Sequence, residues 1–167
     1  MSVLDILTYP DDRLKNLSAE VTDIDDELQR FIRDLEATRQ AGPGAVGIAA
    51  PQVGMQKRIV IVDVSNTRKP CDNHGHMIMI NPEITEWDGM VMGREGCLSV
   101  PDFTGNVIRA ETIKLNYLDE TGQRHDIESS GFEARAIQHE MDHLDGLLFL
   151  DRLVSRRTDL FKRKVYK

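Results

Sequence analysis

Apolar and polar positions change period several times along the chain, and each change marks an element. Between residues 25 and 40 the apolar side chains fall at Leu28, Phe31, Ile32 and Leu35, the spacing of a helix with one buried face; Asp23 offers an N-cap carboxylate. Arg58-Ile59-Val60-Ile61-Val62-Asp63-Val64 is instead a continuous apolar run of strand length, and Met77 to Ile84 and a piece around Gly89 to Gly93 read as further strands. From Thr112 to Leu118 apolar and polar residues alternate, and Thr121-Gly122 turns that strand into Arg124-His125-Asp126-Ile127 as a hairpin. A helical period returns between Gly131 and Gly146, glycines placed to open and close the helix. Leu153, Leu160, Phe161 and Val165 stand at near-helical spacing and predict a basic amphipathic helix over about residues 151–167. Strands joined by hairpins, without alternating βαβ units, predict an α+β fold: antiparallel β-sheets packed around one central helix.

Length and charge narrow the class. With 167 residues and 18.9 kDa, the chain is expected to form a single domain over residues 1–167. Its net charge of −7 argues against general nucleic-acid affinity and specific DNA binding, although residues 151–167 carry seven Lys or Arg against two Asp. Two cysteines do not make a disulfide framework, which points to a reducing compartment. The first ten residues have neither the basic flank nor the apolar core of a secretory signal, and no run approaches the ~20 apolar residues of a membrane span. The expected location is cytoplasmic.

The chemistry concentrates in Gln138-His139-Glu140-Met141-Asp142-His143. Histidines four residues apart project from one helix face and can grip one metal ion, and Glu140 between them is then a base beside that ion. On a helical wheel Phe132, Ala136, Glu140 and His143 share an arc with His139, continued by Ile137, Met141 and Leu144; Arg135, Gln138, Asp142 and Asp145 fall on the other side. The metal-binding groups therefore face the core, where unpartnered imidazoles and a carboxylate would be costly and a cation would satisfy them. A tetrahedral site needs a third protein ligand before its water position, and Cys97 in Glu95-Gly96-Cys97-Leu98-Ser99-Val100-Pro101 is the candidate, at a strand end or edge. Upstream, Ala45-Val46-Gly47-Ile48-Ala49-Ala50-Pro51-Gln52-Val53-Gly54 carries one polar side chain, Gln52, suited to donate an amide hydrogen into a dry pocket.

In order and spacing these three segments resemble the signatures of the bacterial peptide deformylases, G-Φ-G-Φ-A-A-x-Q, E-G-C-L-S and Q-H-E-x-D-H, and the resemblance runs over nearly the whole chain. It implies a metal-dependent hydrolase that removes the N-formyl group from the N-terminal formyl-methionine of new proteins and releases formate. Cys97, His139 and His143 would hold one divalent metal ion, expected to be Fe²⁺ with Ni²⁺ or Zn²⁺ as substitutes. Glu140 would act as the base, with Gln52 and the Leu98 backbone N–H holding the oxyanion. Family positions further place Val46, Gly47 and Ile48 on one wall of a methionine pocket, Phe132, Arg135 and Ala136 on the other, and Glu95 and Gly96 along the peptide. The implied partners are N-formylmethionyl nascent peptides, and the basic tail is a candidate ribosome contact. One residue departs from the signature: its first glycine is Ala45 here, which predicts an altered pocket shape if that position needs φ > 0 or a close backbone contact.

Other motifs read differently in context. Gly42-Pro43-Gly44-Ala45-Val46-Gly47 spells G-x-G-x-x-G, but a helical pattern precedes it, Pro43 removes a phosphate-binding donor and Pro51 interrupts the stretch after it, so dinucleotide binding is excluded. Cys71, His74 and His76 fall in a Gly- and Pro-punctuated polar stretch that predicts a solvated loop between two strands. A zinc endopeptidase would use the helix but leave Cys97 and Gln52 idle. A silent binding module would rest on Ala45 alone.

Overall fold

The computed structural model describes residues 2–163. The first long helix, α1 (Asp26–Ala41), begins where Asp25 accepts a hydrogen bond from the Leu28 N–H at 2.8 Å, so Asp25 and not Asp23 is the cap. Seven strands come next: β1 (Gly47–Ala49), β2 (Ile59–Val62), β3 (Met77–Asp88), β4 (Val91–Cys97), β5 (Val100–Arg109), β6 (Thr112–Leu118) and β7 (Arg124–Ser130). The second long helix, α2 (Gly131–Leu144), succeeds them; the one-turn α3 (Arg156–Asp159) and the short strand β8 (Leu160–Lys162) end the described chain.

All strand pairs within the two sheets are antiparallel. The larger sheet has the order β1-β2-β3-β6-β7 and the smaller one β4-β5-β8. Alternation along β2 explains how the larger sheet is covered on both faces: Ile59 and Ile61 meet Leu28, Ile32 and Leu35 of α1, while Val60 and Val62 meet Ala134, Ala136 and Ile137 of α2. The smaller sheet packs Val100 and Val107 on Leu148, Phe149 and Leu150, which come after α2. Helix α2 is thus enclosed between the two sheets, as an α+β plan with a central helix requires.

Enclosure corrects the helical wheel. Arg135 and Asp142, assigned to the wet side, are buried along with His139, Glu140 and His143. They tolerate burial because each meets opposite charge: Arg135 pairs with Glu95, and Asp142 with Arg109 and Arg152.

The expected helix over residues 151–167 does not form in its described part. Arg156–Asp159 is a single turn, and Leu160–Lys162 runs as a strand because β5 offers an unpaired edge: Phe103, Thr104 and Gly105 take Lys162, Phe161 and Leu160 in antiparallel register. Leu153 and Leu160, the apolar positions that suggested a helix, instead pack on the core of the smaller sheet. Residues 164–167 lie outside the described residues.

Candidate active site

The β4–β5 turn is so tight that Cys97 pairs directly with Val100, and it brings the Cys97 thiol against the histidines of α2. Ligand atoms of Cys97, His139 and His143 lie within 4.8 Å of one another, and all three residues are buried. The Cys97 Sγ to His143 Nε2 distance is 3.4 Å. Among the described residues two buried polar atoms nearby have no hydrogen-bond partner, Glu140 Oε1 and His143 Nδ1.

One of the two converging imidazoles, that of His139, is aimed by a second residue. His139 Nδ1 lies 2.8 Å from Glu95 Oε1, which turns Nε2 toward Cys97. Glu95 itself accepts from Arg109 Nε at 2.9 Å, Arg109 Nη2 at 2.8 Å and Arg135 Nη1 at 2.7 Å. Arg109 reaches on to Asp142 at 2.6 Å, and Asp142 accepts from Arg152 at 2.9 and 3.1 Å. A chain of buried charge therefore ties β4, β5, α2 and the turn after it into one frame around the histidines. Arg135 also donates to the carbonyls of Val107 and Val91.

The Gln52 amide is oriented without ambiguity. Its Oε1 accepts from the Ala49 N–H at 2.9 Å, so the NH₂ group points the other way, toward Ser99 Oγ at 3.0 Å and Cys97 Sγ at 3.5 Å. The N-terminal segment fixes both neighbours from behind: the Leu7 N–H donates to the Gln52 carbonyl and the Tyr9 N–H to that of Ser99, each at 2.7 Å.

Electrostatics favour a cation at this point. Burial alone would lower the pKa of His139, but its contact with Cys97 and the nearby carboxylates of Glu140 and Glu95 outweigh that and hold it well above the ordinary value. His143 is pushed well below its ordinary value by burial, then by His139 and Arg109. Burial raises the Glu140 carboxyl to about 7. Burial would also raise Glu95, yet the hydrogen bonds from Arg109 and His139 keep it well below the carboxylate range. Two imidazoles and a thiol that converge in a buried site, with an unsatisfied carboxylate oxygen beside them, are a donor set that fits a divalent metal.

A cavity of ≈ 540 Å³ opens over this cluster, lined by Val46, Gly47, Gln52, Glu95, Gly96, Cys97, Leu98, Phe132, Arg135, Ala136, His139 and Glu140. Most of the residues singled out in the sequence therefore meet in one place, with two exceptions of role. Ile48 is fully buried against α1, because alternation along β1 turns it away from Gly47, whose missing side chain makes room for Glu140. Glu95 borders the cavity, but its carboxylate is consumed by three neighbours. Ala45 lines the cavity too; Asn81 is the one non-glycine residue with positive φ among those described, so the methyl of Ala45 meets no backbone strain. The loop carrying Cys71, His74 and His76 runs between β2 and β3 with both histidines exposed, as a solvated loop, and is tied down at two points: His74 Nδ1 contacts Glu133 Oε1 at 2.5 Å, and His76 Nε2 lies 3.1 Å from Glu36 Oε2. Ser99, Arg109 and Asp142 escaped sequence reasoning, since nothing local marks a serine as a partner for Gln52 or an arginine as a bridge between distant carboxylates.

Comparison with known proteins agrees with this geometry. The family model for polypeptide deformylase matches residues 3–159. The peptide deformylase of Thermodesulfovibrio yellowstonii is 40% identical over 164 residues, covering 98% of this chain and 97% of that protein. That of Desulfosudis oleivorans is 45% identical over 168 residues, covering 100% and 95%. Among solved structures, the peptide deformylase from Ehrlichia chaffeensis in complex with actinonin superposes with a TM-score of 0.87 at 38% identity, covering 94% of this chain and 92% of that one. The Met-Ala-Ser-bound class I type b peptide deformylase from Acinetobacter baumannii gives 0.84 at 38% identity, covering 91% and 100%.

Proposed function

This chain belongs to the polypeptide deformylase family, and from that premise we propose how its residues hydrolyse the N-formyl group of formyl-methionyl peptides and release formate. The convergence of Cys97, His139 and His143, with Cys97 and His139 lining the same cavity as Glu140 and Gln52, carries the reading. Cys97, His139 and His143 hold one divalent metal ion, Fe²⁺ by family resemblance; Ni²⁺ and Zn²⁺ suit the same donors. When bound, the ion supplies Lewis-acid activation of the formyl carbonyl and of water.

Glu140 does the proton work. Its Oε1 has no hydrogen-bond partner among the described residues, His143 Nε2 standing 3.9 Å away, which leaves it for the attacking water. It accepts that proton as the C–O bond forms and returns it to the amine nitrogen as the C–N bond breaks, giving formate and a free N-terminus. Gln52 Nε2 donates to the oxygen on which negative charge develops, and the Leu98 backbone N–H adds a second donor. The long Gln52 contact to sulfur, 3.5 Å, is the one this donor gives up most cheaply.

Methionine is taken between Val46 and Gly47 on one wall and Phe132, Arg135 and Ala136 on the other, with Gly96 along the peptide. The Arg135 head group is tied to Glu95 and two carbonyls, so its methylene stem faces the substrate. Ile48 shapes this wall from the core, and Glu95 is a positioning residue for His139. Residues 1–167 act as one catalytic domain. The Acinetobacter relative binds Met-Ala-Ser, the sequence left once formyl-Met-Ala-Ser has lost its formyl group, which supports a peptide that begins in this pocket. No helix among the described residues is long and apolar enough to cross a membrane; a substrate made by translation supports a cytoplasmic location. Arg156, Arg157 and Lys162 are exposed and furnish the basic surface for a ribosome contact.

Formate release from formyl-Met-Ala-Ser by anaerobically purified, Fe²⁺-loaded protein tests the reading, with Glu140→Ala alongside. Turnover in the wild type that vanishes in the variant is expected. Metal-replete wild type without turnover would overturn it.

A further inference from the structure

Three arginines line the cavity: Arg94, Arg135 and Arg163. Arg135 is committed to Glu95 and to backbone carbonyls, but neither Arg94 nor Arg163 has a carboxylate partner among the described residues, although both are exposed. Arg94 stands on β4 itself, and Arg163 reaches the cavity through the unexpected strand β8 that precedes it. Its pairing with β5 sets Phe161 opposite Thr104, itself opposite Gly96 of β4, so Arg94, Gly96, Thr104, Phe161 and Arg163 share one face of the smaller sheet.

On that face the Arg94 Cζ lies over the Phe161 ring, 3.7 Å from its centre, and the guanidinium donates to Asn106 at 3.1 Å and Thr104 at 3.3 Å. Those contacts fix its plane and leave Nη2 without an acceptor among the described residues. Arg163 Nη2 stands 2.6 Å from where a Cβ on Gly96 would be, directly over the one residue of β4 that lacks a side chain on this face. The cavity's own carboxylates cannot neutralise this rim, because Glu95 is consumed by Arg109, Arg135 and His139, and Glu140 is buried beside the histidines.

We propose that Arg94 and Arg163 form a cationic rim that binds a side-chain carboxylate on a residue after formyl-methionine, so that the enzyme prefers acidic over basic peptides. The inference rests on the deformylase reading above and adds a specificity-determining pair to it. Since the rim is exposed, each ion pair is worth little, and the preference is carried by KM more than by kcat.

The test measures formate release from C-terminally amidated formyl-Met peptides in which alanine at position 2, 3 or 4 is replaced singly by Glu or Lys. At the best position and low ionic strength kcat/KM for Glu exceeds that for Lys by about 3–10-fold, and the ratio shrinks in salt at about 0.5 M. Arg94→Ala/Arg163→Ala brings the ratio toward one, and Arg163→Glu inverts it. A wild-type ratio at or below one at every position would overturn the proposal. So would a ratio unchanged in the double variant, or a preference confined to peptides with a free C-terminal carboxylate. The all-alanine amide separates the two readings: failure to turn it over counts against the deformylase activity, and turnover without charge preference counts against the rim alone.

Discussion

Replacing Glu95 by Gln tests whether the buried charge frame holds the metal-binding histidine in place. The change keeps the side-chain shape but removes the charge that gathers four donors at 2.7–2.9 Å from Arg109, Arg135 and His139. An amide has one acceptor oxygen, and its NH₂ group would be driven against donors that already fill the other side. Breaking a buried ion pair from one side typically costs about 3–5 kcal/mol. Arg109 keeps Asp142 and Arg135 keeps two carbonyls, which places the expected loss near the lower end, about 3 kcal/mol. That is a large share of the roughly 5–15 kcal/mol that stabilises a typical domain. His139 meanwhile loses the acceptor that aims its Nε2, and loss of such a partner lowers metal affinity by about 10–100-fold. Urea unfolding of the metal-free protein at pH 7 measures the first quantity, and anaerobic Zn²⁺ titration against a competing chelator the second. Destabilisation below about 1 kcal/mol together with unchanged metal affinity would refute the reasoning.

Three further outcomes are expected. A Cβ on Gly47 would stand 2.6 Å from Glu140 Oε2 and 2.8 Å from its Cγ, so Gly47→Ala displaces the proton-transferring carboxylate and lowers kcat by about 10²-fold with metal content intact; normal kcat in a metal-replete variant would disprove the crowding. Gln52→Ala loses about 10²–10³ in turnover and keeps its metal, whereas Cys97→Ser loses the metal, so metal analysis showing equal loss in both would undo that division of roles. Glu140 has the pH signature of a carboxyl raised by burial from 4.5 to about 7. Its contribution to metal-free stability is present below about 4.5 and lost as pH rises through about 7. Glu140→Gln therefore leaves the metal-free protein unchanged near pH 4 and stabilises it near pH 8 by on the order of 3 kcal/mol; equal unfolding midpoints at pH 8 would contradict the burial.

What was legible in the chain and what was not divides along the range of the interactions. Helix α1, strand β2, the β6–β7 hairpin and helix α2 announce themselves through local period, and the candidate ligand trio through two short motifs, with Gln52 in a third. The wheel failed at Arg135 and Asp142 because amphipathicity assumes a broad wet side, and α2 keeps little of one, with Phe132, placed toward the core by the wheel, its one exposed residue: the smaller sheet covers much of what would be that side, and Arg109 makes the covering tolerable by joining Glu95, 14 residues away, to Asp142, 33 residues away. No short window of sequence contains all three. The tail failed for a related reason, since spacing at Leu153, Leu160 and Phe161 fits a helix until an open edge on β5 competes for the same backbone groups. Once that edge wins, Arg163 is carried over Gly96, and a stretch whose basic residues look like a surface tail contributes a side chain to the substrate cavity. The candidate metal ligands are marked by local motifs, while their convergence and orientation and the charge at the cavity entrance are properties of the fold.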